Sequence, residues 1–153
     1  MRCVSPRRLA ALLVPVLALG VLWTFLRGGA LSRGWAQWVF SQNRPAFETA
    51  AAQAVEQGSG QGISRPFGVR DVTFWDYEGT AVDFAMGAFG LGSAARYWGV
   101  QYVPSGERLG YQGVRLEGWT WEGDGWSWSE SGGDNTCYLR ELDGNWFYYE
   151  MEF

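Results

Sequence analysis

Histidine and lysine are both missing from this chain of 153 residues, and cysteine occurs only twice. The absence of histidine removes the commonest general base and the commonest metal-binding side chain. Serine–histidine and cysteine–histidine nucleophilic pairs go with it, and there is no G-x-S-x-G run. All twelve basic residues are therefore arginine, and they are unevenly placed. Arg2, Arg7, Arg8, Arg27 and Arg33 precede residue 34, whereas all sixteen acidic residues follow it. From residue 34 onward seven arginines stand against sixteen acids, a net charge of −9. A domain that acidic is expected to repel both nucleic acid and anionic lipid, so no nucleic-acid partner is predicted.

What is present begins with an apolar run. Residues 9–26, LAALLVPVLALGVLWTFL, contain no charge and follow Arg2, Arg7 and Arg8. Eighteen helical residues span about 27 Å, enough for a hydrocarbon core. The leading arginines predict an amino terminus held inside and a carboxyl-terminal domain sent outside. Trp23 falls near the far end, where aromatic residues favour the membrane interface. The alternative is a signal peptide cleaved near Gly20, because Ala18-Leu19-Gly20 has a small-x-small form. Both readings export the domain. Cys3 and Cys137 flank the retained anchor and would not pair, so Cys137 reads as a small buried residue on a strand.

The expected organisation is a cytoplasmic segment over 1–8, a transmembrane signal-anchor over 9–26, a juxtamembrane helical stem and linker over 27–62, and an antiparallel β-rich extracytoplasmic domain over 63–153. Trp35, Trp38 and Val39 share one helical face, suited to the membrane surface or to a stem. Pro45 suits the first turn of a second helical segment, which Gly58 ends. Within it Phe47, Ala50, Ala51, Ala54 and Val55 form an apolar stripe at helical spacing, a core face. Residues 58–62, GSGQG, read as a flexible joint.

Beyond the joint the period changes to two. Val82, Phe84 and Met86 alternate with Ala81, Asp83 and Ala85. Trp98, Val100 and Tyr102 alternate with Tyr97, Gln101 and Val103. Phe147, Tyr149, Met151 and Phe153 form an apolar side opposite Glu150 and Glu152. Pro104-Ser105-Gly106 is a turn, and Asp143-Gly144 is a two-residue hairpin turn. The predicted fold class is α+β, one helix packed on an antiparallel sheet of about six strands. A cystatin-like roll offers an analogy at the level of fold alone.

Four of the ten tryptophans, Trp119, Trp121, Trp126 and Trp128, fall within ten positions in GWTWEGDGWSWSE, residues 118–130. A turn at Gly123-Asp124 would set Trp121 opposite Trp126 and Trp119 opposite Trp128, all on one side of a hairpin. The spacing resembles designed tryptophan-zipper hairpins, in which cross-strand indoles interlock edge to face. Such pairs contribute about 0.5–1.5 kcal/mol beyond area burial. The second reading is a ligand platform, with sugar rings stacked on the indoles and Asp134 and Asn135 supplying polar contacts.

Other fragments carry less. EGDG and SGGDN lack the alternating oxygen ligands of a calcium loop. The G-x-x-G-x-G within GAFGLGSA, residues 87–94, leads into a strand, without a helix N-terminus or a lysine for phosphate, and reads as a glycine-rich bend. Glycoside hydrolysis needs two carboxylates facing across a cleft. With sixteen acids some pair is inevitable, so its presence is uninformative. No cofactor motif or metal-ligand spacing is present.

The stretches VDFAMGAFGLGSAARYWGVQYVPSGE, GDGWSWSESGGDN and NWFYYEMEF together resemble an uncharacterised group of small membrane-anchored exported proteins of Clostridia-type Firmicutes. The resemblance covers residues 69–153, and the anchor in kind. It implies export and no assigned activity. This chain departs from it at Ala85-Met86, where an aromatic residue and a cysteine are implied, and at Thr136-Cys137. The departure at Ala85-Met86 speaks against a catalytic cysteine in the bend. The expected function is a non-catalytic, membrane-anchored binding or structural module of the cell envelope, meeting a cell-wall glycan or an envelope protein. The alternatives are a carbohydrate or peptidoglycan binder using the aromatic hairpin, and a small envelope hydrolase using paired carboxylates.

Overall fold

The computed structural model describes residues 29–91 and 94–153. The predicted anchor at 9–26, the cleavage alternative near Gly20, Cys3 and Trp23 lie outside the described residues. Among the described residues no helix is long and apolar enough to cross a membrane.

Among the described residues one α-helix, α1 (Ala30–Gln57), precedes seven strands. The two expected helical segments are a single kinked helix, with Asn43 at φ −124°, ψ 17° just before Pro45. Proline has no N–H to donate and clashes with the carbonyl four residues back, which forces the bend. The Asn43 side chain donates to Val39 O (2.9 Å) at the kink. Gly58 closes the helix at φ 61°, with its own N–H on Val55 O (3.3 Å) and the Ser59 N–H on Ala54 O (3.1 Å). Within the joint that follows, Gly60 is packed, and a Cβ on it would collide with the Val72 carbonyl, whereas Gly58 and Gly62 face open space.

The strands are β1 (Asp71–Asp76), β2 (Thr80–Leu91), β3 (Ala94–Tyr102), β4 (Thr120–Glu122), β5 (Gly125–Ser129), β6 (Thr136–Asp143) and β7 (Trp146–Glu152). All neighbours are antiparallel, in the order β1-β2-β3-β7-β6-β5-β4. The chain lays down β1 to β3 as a meander and crosses to the far edge through residues 103–119. It then returns as a second meander, so that β7 seals the sheet beside β3. The strand that alternation does not pick out is β1, an edge strand with no clean alternation of burial.

Three sequence readings shift. The glycine stretch 87–91 is the arm of a hairpin, pairing with 94–98, rather than a bend. Gly87 is needed because the Trp98 indole lies over it from the opposite strand; a Cβ there would come 2.5 Å from the ring. The β6–β7 turn sits one residue later than expected. A bulge between Glu141 and Asp143 pairs Asp143 with Trp146, leaving Gly144 (φ 58°) and Asn145 as the loop. Finally, β7 is apolar on both sides, because a central strand is covered twice: Trp146 and Tyr148 are as buried as Phe147 and Tyr149.

The two sheet faces carry separate cores. On one, α1 sets Val39, Phe40, Phe47, Ala50 and Ala54 against Val82, Phe84, Val100, Trp146 and Tyr148. Phe47 contacts Phe84 and Phe40 at centroid distances of 5.0 and 5.5 Å, with Trp146 6.1 Å away. Val39 therefore turns inward beneath Gly68, away from Trp35 and Trp38, which stay exposed. On the other face the crossing segment 103–119 covers Ala81, Cys137, Leu139, Phe147, Tyr149 and Met151 with Leu109, Tyr111, Leu116 and Trp119.

Candidate functional site

The tryptophan hairpin folds in the expected register: Trp121 pairs with Trp126 across the Gly123-Asp124 turn. Their rings meet edge to face, 4.8 Å apart at 78°. The Arg108 guanidinium lies 4.9 Å from the Trp126 ring centre, so that indole is engaged by two neighbours. Trp119 and Trp128 pack, partly buried, onto the second core, and Trp128 pairs with Cys137 on β6. The regular ladder ends at Thr120–Ser127, one residue short of a Trp119–Trp128 pair. Only Trp121 is substantially open to solvent, at 59 %.

Asp134 and Asn135 lie at the other end of β5, in the turn leading to β6. Asn135 donates to Glu130 Oε2 (2.7 Å), and its carbonyl accepts from the Glu130 N–H (2.9 Å), which closes the turn. Trp126 and Ser129 are separated by three strand steps, about 10 Å. The exposed indole of Trp121 and the polar pair Asp134 and Asn135 are thus placed at opposite ends of β5 rather than gathered round one pocket.

The hairpin turn is clamped from outside. Asp124 accepts from the Tyr138 hydroxyl (2.6 Å) and pairs with Arg33 on α1 (2.8 Å) and Arg140 on β6 (3.0 Å). Arg33 also lies over the Tyr138 ring at 4.3 Å. The Tyr138 hydrogen bond, helped by both arginines, holds the Asp124 carboxyl below the usual carboxylate range. Burial, followed by the bond to Asp124, pushes Tyr138 up to about 12.

Sequence alternation does not single out the most unusual polar group. Asp83 on β2 is fully buried, facing its cross-strand partner Gln101 beneath the crossing segment. Its carboxylate accepts from Gln101 Nε2 (2.9 Å), from Trp75 Nε1 (2.8 Å) and from the backbone N–H of Gln112. Gln101 Nε2 also reaches the Gly110 carbonyl at 3.2 Å. Gln112 is, among the described residues, the non-glycine residue with positive φ, 64°, a backbone state that costs about 1 kcal/mol or more. The carboxylate thus captures the amide of a strained residue and pins the crossing segment to the sheet. Burial pushes the Asp83 carboxyl up to about 6, against the opposing pull of these three donors. The readable signal was a charged residue in AVDFA aligned with a glutamine in GVQYV, two otherwise apolar strands.

Cys137 is buried below the same cover, and burial pushes its thiol well up. That is the inert behaviour expected of a core cysteine. Paired carboxylates do occur, at Glu150 and Glu152, but both are bound by Arg96. Glu150 also accepts from Tyr148 (2.6 Å). They line a recess of about 220 Å³ with Glu122, Ser127 and Thr136. A second cleft, about 400 Å³, lies between α1 and the β6–β7 turn, lined by Tyr102 and Trp146 and edged by Arg44, Glu48 and Asp143. Arg44 pairs with both acids. Among the described residues no three acidic or cysteine side chains gather as metal ligands would.

No family model, curated protein or solved structure matches this chain.

Proposed function

We propose that this protein is a membrane-anchored, extracytoplasmic binding or structural module of the cell envelope that carries no catalysis of its own. The charge-free run 9–26 behind three arginines supports the anchor and its orientation. The observation that carries the non-catalytic reading is where the strongest chemistry sits. Asp83, Gln101, Trp75 and Cys137 lie under the crossing segment, and the carboxylate is filled by the chain's own donors. Catalysis would require such a group to reach a substrate. Here it holds a lid on a sheet. The likeness to exported proteins of Clostridia-type Firmicutes belongs to the same proposal.

The test is topology. The full chain, expressed in a bacterial host with a carboxyl-terminal tag, should resist alkaline extraction from membranes and retain its original amino terminus. The tag should be open to protease from outside. A mature chain that begins near residue 21 and is recovered from the medium would replace the anchor with a signal peptide.

One observation favours a second reading. Trp121 leaves an indole open beside Glu122 on an edge hairpin, which would suit stacking against a sugar ring. Peptidoglycan fragments titrated against the full chain should then shift tryptophan emission, and Trp121→Ala should abolish the shift.

A further inference from the structure

Leu31, Trp35 and Trp38 stand at i, i+4 and i+7 on the first half of α1 and form one stripe, 54, 43 and 51 % exposed. Phe67, 61 % exposed in the loop before β1, extends that stripe by meeting Trp35 edge-on at 6.3 Å. Trp35 and Trp38 are themselves 5.2 Å apart. Single exposed apolar residues need no explanation, but a contiguous cluster containing two tryptophans does.

Two further facts say what covers it. The first is chain length: Leu31 is five residues beyond Leu26, the end of the apolar run, and five residues reach at most about 18 Å when fully extended. A bilayer crossed by residues 9–26 therefore has its headgroup layer within reach of the stripe. Gly29, in the left-handed region at φ 65°, caps the start of α1. The second fact is charge. α1 has no acid before Glu48, about 20 Å along the axis from Trp35. Arg65 and Arg70, both exposed, flank Phe67 on the same loop. In a domain of net −9 the stripe itself carries no acid and has Arg65 and Arg70 beside Phe67, while the acids at its border are Asp71 and the Arg33-paired Asp124. The face therefore meets the bilayer chiefly through its aromatic rings.

The geometry points to a membrane-resting face: Leu31, Trp35, Trp38 and Phe67 sit in the headgroup layer of the bilayer and hold the domain against it at a fixed attitude. Tryptophan has the preferred chemistry for that layer, with an apolar ring and one N–H. This rests on the proposed anchor for its placement, and the test separates the two.

The full chain, carrying Trp23→Phe to silence the anchor's own indole, is reconstituted into vesicles of phosphatidylcholine and phosphatidylglycerol with brominated acyl chains. Lipid quenching of tryptophan emission is compared with and without Trp35→Phe and Trp38→Phe. Both side chains are exposed, so phenylalanine leaves the cores intact. The pair of substitutions should reduce the lipid-quenched emission at least about threefold, because the other described indoles, Trp121 aside, are partly or fully buried. An unchanged quenched fraction in vesicle-bound chain overturns the resting face while leaving the anchor standing. Patch-dependent quenching in chain that alkaline carbonate strips from the vesicles upholds the face and overturns the anchor. Chain that does not float with vesicles overturns both. A cross-linked dimer through Trp35 and Trp38, without quenching, assigns the stripe to a second copy and overturns the lipid reading.

Discussion

The two faces of one sheet are closed by different physics. Helix α1 closes the first with shape: alanines at 50, 51 and 54 bring it close, and Phe40, Phe47, Phe84 and Trp146 interlock beneath it. The segment 103–119 has only a single 3-10 turn, Tyr111–Gly113, and too little regular structure to offer a continuous apolar stripe. It closes the second face by hanging its backbone on Asp83 and Gln101, with Leu109 and Tyr111 filling the space around them. Its rim is tied to the β1–β2 turn, where the Arg115 N–H donates to Glu78 Oε2 at 2.7 Å. Helical covers satisfy their own backbone and need only area. Irregular covers have backbone groups to satisfy, and a buried polar residue does that at the cost of its own desolvation.

The helical cover is the more sensitive of the two. Phe47→Ala removes the ring at the centre of the first core and should cost about 3–5 kcal/mol, read as a lowered urea midpoint at unchanged slope. If the second cover were independent, amide exchange around Gln112 would stay slow in this variant until global unfolding. A loss of less than about 1 kcal/mol would mean the helix is only loosely seated.

The second face should answer to pH. The ordinary aspartate value is 3.8, and burial raises Asp83 to about 6, with the Gln101, Trp75 and Gln112 donors opposing. Between those values the folded chain keeps a proton that the unfolded chain has released. Stability therefore falls as pH rises from about 4 to about 6, by about 3 kcal/mol, and is level above that. Asp124 contributes with the opposite sign. Its depressed carboxyl loses its contribution only as pH falls through and below the ordinary carboxylate range. Asp83→Asn should remove the falling limb and leave the acid limb, in urea titrations at successive pH values. A falling limb that survives the substitution would assign it to another group.

How far each face could be read beforehand follows from the same contrast. The stripe Phe47, Ala50, Ala51, Ala54 declares itself, because a helix writes its buried face at fixed spacing in contiguous sequence. The Trp121–Trp126 pair does so as well, through a local turn. Asp83 and Gln101 cannot, because alternation sorts residues by side of the sheet and says nothing about what covers that side. Their cover arrives from residues 109–112 at the chain's long crossing, and the strained backbone at Gln112 has no residue-type signature. For the same reason Glu150 and Tyr148 on β7 were separable from the apolar side by period, while the burial of Tyr148 depended on α1 lying above it. Asp134 and Asn135 lie at the far end of β5 from Trp121, a separation that hairpin arithmetic does not give, because it fixes register and leaves the distance along β5 unused.

The smallest effect is expected where the second face meets its edge. Trp121 contributes one edge-to-face contact with Trp126 and little else, so Trp121→Ala should cost about 1 kcal/mol, within the range of a single aromatic pair. The near-ultraviolet circular dichroism should change more than the stability, since two indoles 4.8 Å apart couple their transitions and one alone does not. Trp126 remains under Arg108 in that variant, so the hairpin register is kept by the guanidinium and by Asp124 on its turn. A cost near 3 kcal/mol would instead show that the exposed indole supports the crossing segment, which would make the hairpin part of the second cover. An unchanged stability, together with loss of any glycan-induced emission shift, would leave Trp121 as a residue whose exposure is explained by what it binds rather than by what it holds.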